Sequence, residues 1–230
     1  MITYDLEKTV RIPAGQVMLE GSLEVPADPQ GMVVFAHGSG SSRLSIRNVF
    51  VAHQLREGNL ATLLFDLLTE AEDTIQYNRF DIDLLASRLV VATRWLKEQP
   101  EVQDLPIGYF GASTGAAAAL KAAASLGETI SAVVSRGGRP DLAEDALPRV
   151  TAPTLLIVGG EDRVVLDLNR QAYEKLTAPK RLVTVPGATH LFEEAGTLEE
   201  VARAARDWFL QNLLPPPNPT VEQTGRFERC

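Results

Sequence analysis

The stretch LPIGYFGASTGAAAAL, Leu105 to Leu120, decides how the rest of the chain is read. Ile107 to Phe110 is an apolar run of strand length, Gly111-Ala112-Ser113-Thr114-Gly115 follows without a spacer, and an Ala-rich helix begins at once. A serine at the tip of so tight a turn sits in strained backbone, at a cost of roughly 1–3 kcal/mol, and only very small residues two positions either side let strand and helix pass. Gly111 and Gly115 supply that room, and Ala116 to Ala119 with Ala122 to Ala124 let the helix lie close against a sheet. The pentapeptide alone is a weak signal, because Gly and Ser are common residues. Its place between a strand and a small-residue helix makes it a nucleophile elbow.

Outward from this unit, strand and helix alternate. Val10 to Ile12 and Val17 to Val25 read as an antiparallel hairpin across Pro13-Ala14-Gly15, with polar and apolar residues alternating. Met32 to Ala36, Ala61 to Phe65, Ile130 to Val134, Pro153 to Val158 and Arg181 to Val185 read as further strands, several of them continuously apolar and so covered on both faces. Helices are expected at Ile46–Glu57, with Val49, Ala52, His53 and Arg56 on one spacing, and at Asp81–Glu98, Leu166–Leu176 and Leu198–Leu213, with a short acidic helix at Leu142–Leu147. Glu70 to Asn78 reads as a polar loop. This order predicts a mostly parallel central sheet with an N-terminal antiparallel hairpin, helices on both faces and no large lid domain. Residues 1–213 are expected to form one domain. Three consecutive prolines then open a polar segment, 214–230, expected to be a flexible or loosely docked tail.

A formal net charge of −8 argues against nucleic acid or an anionic membrane as partner. The N-terminus carries early acidic residues and no apolar core of a secretory signal, and no run is long enough for a membrane span. The single cysteine, Cys230, allows no internal disulfide and no cysteine-based metal site. A cytoplasmic protein is expected, monomeric or a small homo-oligomer, needing no metal and no organic cofactor.

In wound parallel sheets the chemistry collects at the carboxyl ends of the strands. Ser113, Asp162 and His190 each follow a predicted strand, in the order nucleophile, acid, base. A serine hydroxyl needs a base to take its proton, and a neutral imidazole suits that task near pH 7. His190 fits that role, and a carboxylate at its other ring nitrogen, assigned to Asp162, fixes the tautomer. Asp167, one turn into the next helix, is the rival acid. His37 reads as a structural hydrogen-bonding residue and His53 as inert. Asp66 ends a strand, with a smaller claim on the site.

With HGSG (His37 to Gly40), GASTG (Gly111 to Gly115), GGEDRVV (Gly159 to Val165) and GATH (Gly187 to His190), the chain from Val10 to Leu213 resembles the α/β-hydrolase superfamily, in its dienelactone-hydrolase-like branch. SRGGRPDL (Ser135 to Leu142) and DLLTEAE (Asp66 to Glu72) are similar to hydrolase domains sometimes fused to phosphoribosyltransferases; an acidic-Gly phosphoribosyl loop is not found, so that second activity is not expected. The resemblance implies an oxyanion hole from the backbone N–H groups of Thr114 and Ser39, with Gly38 or Gly40 as alternatives to the latter. It departs at the nucleophile, which is cysteine in dienelactone hydrolase itself and Ser113 here. What it implies is a serine hydrolase acting on a small-molecule ester, lactone or thioester. A binding or regulatory protein on the same scaffold, or a cofactor-free haloperoxidase or C–C hydrolase, shares these residues. Arg43, Arg136 and Arg139 lie just beyond strand ends, where a guanidinium can hold a carboxylate or phosphate; at least two of them are expected to form internal ion pairs, and cationic residues near the site of an acidic protein predict a preference for anionic esters.

Overall fold

The structure, a computed structural model, describes residues 4–213. The expected domain end and tail, 214–230, lie outside the described residues. The chain opens with β1 (Tyr4–Ala14) and β2 (Val17–Pro26), an antiparallel hairpin turning at Gly15, whose φ of 70° suits a glycine. β1 starts earlier than Val10 because Leu6 to Thr9 continue the half-buried alternation. Then come β3 (Gly31–Ala36), α1 (Ile46–Arg56), β4 (Leu60–Phe65), α2 (Glu70–Asp73) and α3 (Ile82–Leu96). The elbow unit supplies β5 (Ile107–Ala112) and α4 (Thr114–Leu126), followed by β6 (Ile130–Arg136), β7 (Thr154–Gly159), α5 (Arg163–Lys175), β8 (Lys180–Val185) and α6 (Thr197–Leu213).

The eight strands form one sheet in the order β1-β2-β4-β3-β5-β6-β7-β8. β2 runs antiparallel to β4, and every pairing from β4 to β8 is parallel. The chain therefore winds one way from β3 to β4 and the other way from β5 onward. That reversal opens a crevice at the carboxyl ends of β3 and β5, where ligands of wound sheets bind. The loops that close those two strands are His37–Gly40 and the Ser113 turn.

β3, β4, β5 and β7 are buried along their whole length, as continuous apolar runs require. One face is covered by α3, α4 and part of α5, the other by α1 and α6. Phe209 of α6 is fully buried over Gly108 of β5, where a Cβ would stand 2.7 Å from the ring. The missing side chain on the strand is what lets the ring lie against the sheet.

Three local expectations are corrected. Helix α1 buries Asn48, Val51, Ala52, Leu55 and Arg56, and leaves Val49 and His53 outside, because two polar residues interrupt the apolar stripe that spacing alone detects. The polar loop from Glu70 contains α2, closed by a capping box in which Thr69 and Glu72 bond each other's backbone N–H, and a 3₁₀ turn at Gln76–Phe80. The acidic segment at 142–147 is not a helix; Pro140 and Pro148 start two 3₁₀ turns, Pro140–Ala143 and Leu147–Arg149. Phe209→Ala empties the space above Gly108, and urea denaturation should show a stability loss of about 3–5 kcal/mol.

Candidate active site

Ser113 joins β5 to α4 at φ 52° and ψ −121°, a conformation non-glycine residues rarely adopt. Its N–H donates to the Arg136 carbonyl at 3.2 Å, and its carbonyl accepts from Ala116 N and Arg139 N at 3.1 Å each, so neighbours on both sides hold the strained turn. The flanking glycines have the predicted steric cause. A Cβ on Gly111 would stand 2.4 Å from Ala116 Cα, and one on Gly115 would stand 2.2 Å from Ala36 O and 2.4 Å from His37 O. The elbow is thus wedged against the end of β3.

Asp162 stands at the N-cap of α5, yet its side chain does not cap the helix. Its Oδ2 instead accepts from His190 Nδ1 at 2.6 Å. An ionised carboxylate only accepts, so Nδ1 carries the ring proton and Nε2 is left as the basic nitrogen. The loop that carries His190 is laced to β7. Glu161 N donates to Ala188 O at 3.0 Å and Gly160 N to Val185 O at 2.8 Å, and a Cβ on Gly159 would stand 2.3 Å from Ala188 O. Farther along, Thr189 bonds Glu194 through both N and Oγ1, at 3.1 and 2.6 Å, and Phe192 is buried at φ 56°. His190 lies beside the next strand end, since a Cβ on Gly137 would stand 3.6 Å from its Cε1. The side chain of His190 is half-exposed and that of Asp162 is mostly covered. Asp167 pairs with Arg170 on the solvent side of α5, away from this contact. Ser113 Oγ forms no hydrogen bond among the described residues.

Thr114 opens α4, so its N–H has no partner within the helix. The Ser39 N–H is in use, donating to Thr114 Oγ1 at 2.8 Å. Gly38 comes close to the nucleophile, where a Cβ would stand 3.1 Å from Ser113 Cβ. His37 ties this loop down. The Leu67 N–H donates to its Nε2 at 3.0 Å, its Nδ1 donates to Gly38 O at 3.0 Å, and burial pushes its pKa below the usual imidazole range.

The three arginines separate. Arg43 spends Nη1 on Asp66 at 3.1 Å and Nη2 on Glu20 at 3.0 Å, while Asp66 also accepts its backbone N–H at 2.7 Å. Arg139 is paired bidentately with Asp141 at 2.9 and 2.7 Å. Two of the three thus form internal ion pairs, as expected for at least two of them, whereas the side chain of Arg136 makes no ion pair and no hydrogen bond among the described residues. A cavity of about 610 Å³ beyond β3 and β4 is lined in part by His37, Arg43 and Asp66, which the sequence had singled out, and by Ser41, Thr69 and Asp73, which sequence reasoning missed. The Thr69-x-x-Glu72 capping signature in DLLTEAE was the signal available for its helical side.

A serine at a strained strand-to-helix turn, with an Asp–His pair on loops of the same sheet, defines an α/β-hydrolase. The dienelactone hydrolase family model matches residues 63–213, and the chain belongs to that family. Two putative phosphoribosyl transferases of Mycobacterium tuberculosis are 59% identical over 210 residues, 91% of this chain and 47% of each relative. The chain thus spans about half the length of these curated relatives. A crystal structure of dienelactone hydrolase from Anabaena variabilis is 57% identical, with a TM-score of 0.88 over 90% of this chain and 98% of that one. Est1E from Butyrivibrio proteoclasticus, seen with ferulic acid bound, shares the fold at 20% identity and a TM-score of 0.76, over 88% of this chain and 98% of its own.

Two measurements check this anatomy. Gly115→Ala forces a methyl group into the Ala36 and His37 carbonyls and should lower stability by about 3 kcal/mol or more in thermal or urea unfolding. His37 is held neutral in the fold, while the unfolded chain takes up a proton near about pH 6.5; the stability it contributes is complete above that pH and is lost as pH falls. His37→Gln should flatten the dependence of unfolding free energy on pH between about 5 and 7.

Proposed function

We propose that the chain is a serine hydrolase that cleaves an ester, lactone or thioester of a small molecule through an acyl-enzyme. The observation that carries this reading is the 2.6 Å contact of Asp162 with His190 Nδ1, which leaves Nε2 basic on the same rim as a strained, unbonded serine. Ser113 Oγ attacks the substrate carbonyl and His190 Nε2 takes the hydroxyl proton. The oxyanion is held by Thr114 N–H and a second amide from the Gly38–Gly40 loop. The Ser39 N–H serves as that second donor when the oxyanion displaces Thr114 Oγ1. Collapse expels the alcohol or thiol, which receives the proton from His190. Water, deprotonated by the same nitrogen, then releases the acid and restores Ser113. Asp162 keeps the ring in one tautomer and stabilises its protonated form.

The family and the 57% identity to the Anabaena variabilis protein support hydrolysis. The position that is cysteine in the name-giving enzyme is Ser113, so its lactone substrate is not carried over. Nor is phosphoribosyl transfer, which the names of the longer relatives mention. Among the described residues no helix is long and apolar enough to cross a membrane. We place the protein in the cytoplasm, acting on a substrate that carries negative charge; fractionation with an antibody tests the first part. One observation favours a second reading, a binding protein with an idle triad: Ser113 Oγ is not bonded to His190 among the described residues. Catalytic hydrogen bonds often close only with substrate present.

A fluorophosphonate probe separates the two, since it labels only an activated serine. Labelling of the unmodified chain and its loss in Ser113→Ala is the expected result; no labelling of either supports the binding protein. In steady-state assays with p-nitrophenyl acetate, Asp162→Asn should lower kcat by about 10³ to 10⁴ while leaving the circular dichroism spectrum unchanged.

A further inference from the structure

Resting on the hydrolase reading above, we propose that the side-chain hydroxyl of Thr114 is a further donor to the oxyanion, beside the backbone amides of Thr114 and Ser39, so that Thr114 is catalytic through its side chain as well as its main chain. Thr114 Oγ1 accepts from Ser39 N at 2.8 Å, and this is the only hydrogen bond of that hydroxyl among the described residues. A threonine hydroxyl has one proton to donate as well as lone pairs to offer. Its proton therefore has no acceptor among the described residues, although Thr114 is 3% exposed, in the first turn of α4. Buried hydroxyls are as a rule satisfied, so an unaccepted proton at this place points to an acceptor that arrives with substrate.

The surroundings of this hydroxyl tie it to the reacting centre. Thr114 directly follows Ser113, and Gly38, which directly precedes Ser39, lies against the nucleophile: a Cβ there would stand 3.1 Å from Ser113 Cβ and 3.8 Å from Ser113 Oγ. On the other side of Thr114, a Cβ on Gly115 would stand 2.2 Å from Ala36 O and 2.4 Å from His37 O, so the first turn of α4 is pressed onto the end of β3 and the hydroxyl has little room to withdraw. An oxyanion that takes the Ser39 N–H must come within about 3 Å of that nitrogen, close to where Oγ1 stands in the resting site. Two oxygens brought together at one N–H repel each other unless a proton lies between them, and the threonine hydroxyl has one free. Rotation about the Cβ–Oγ1 bond aims it, and the branched side chain is stiff about χ1, which keeps Oγ1 at the hole. The resulting O–H···O⁻ bond is charge-assisted and short. It strengthens as negative charge develops on the substrate oxygen, so it acts on the transition state more than on bound substrate.

The test has a kinetic arm and a binding arm, both on the full chain. Thr114→Val removes the hydroxyl and keeps the side-chain shape and the backbone N–H. With p-nitrophenyl acetate its kcat should fall about 10²-fold with KM unchanged, the mark of a contact made in the transition state, and Thr114→Ser should recover most of the rate. The inhibition constant of hexyl trifluoromethyl ketone, whose adduct with a serine carries an oxyanion, should rise by a similar factor in Thr114→Val. A kcat in Thr114→Val equal to or above that of the unmodified chain marks the hydroxyl as a mere plug of the Ser39 amide; it overturns the proposal and leaves the hydrolysis reading standing. A hydroxyl that only ties the loop is separated by replacing Ser39 with lactic acid, whose backbone ester has no N–H to donate. In that background Thr114→Val should still lower kcat about tenfold, and no further loss would overturn the proposal. Should Thr114→Val fail to fold, Thr114→Ala carries the same arms with the same outcomes. Ketone binding that weakens in the variant, with no ester hydrolysed by the unmodified chain, keeps the hydroxyl as donor and sinks the hydrolysis reading instead; an unmodified chain that neither hydrolyses the ester nor binds the ketone sinks both.

Discussion

The turn at Ser113 can exist only because nothing projects from Gly111 and Gly115. At Gly115 the carbonyls of Ala36 and His37 approach so closely that even a methyl group has no place, and at Gly111 the same holds for the first turn of α4. These contacts convert the apolar burial of β5 and α4 into strain at one residue, held at φ 52° by hydrogen bonds from β6 and from the loop after it. The run of alanines behind it is part of the same constraint. Ala116 to Ala119 are all fully buried, so the helix that receives the turn lies against the sheet without side chains to hold it off.

The winding of the sheet decides what gathers around that turn. Because the winding reverses between the parallel neighbours β3 and β5, the loop His37–Gly40 stands beside Ser113 despite a long separation in sequence. The loops after β6, β7 and β8 follow in order along the same rim. The His190 loop lies directly on Gly159, and Asp162 gives up helix capping to meet the imidazole. Electrostatics divide the surroundings. On one side Arg43, Asp66 and Glu20 neutralise each other at the wall of the large cavity, and on the other Arg47 pairs with Glu193 while the buried Arg136 has no ion pair among the described residues.

Much of this was legible before any coordinates. Continuous apolar runs identified the buried strands, because covering both faces removes the need for alternation. The steric demand of the elbow was written in two glycines at fixed spacing. Harder to read were features set by partners distant in sequence. Nothing local says that Asn48 and Arg56 face the sheet while Val49 does not, since Arg56 goes inside for Glu24 and Thr62. Likewise the spacing of Arg43, Arg136 and Arg139 after strands made them equivalent. The acids that satisfy Arg43 come from β2 and the end of β4, and that no acid among the described residues pairs with Arg136 is a property of the folded chain. That the Ser39 amide meets the Thr114 hydroxyl is a third such feature, visible only once β3 and α4 are side by side.

Every step of the account passes through a covalent bond to one oxygen. Rapid acid quench of the full chain during turnover of a p-nitrophenyl ester, followed by intact-mass measurement and peptide mapping, observes that bond directly. The account predicts a mass increase equal to the acyl group, carried by the peptide that contains Ser113 and absent from Ser113→Ala. An acyl group on any other residue, or ester turnover that persists undiminished in Ser113→Ala, would contradict it.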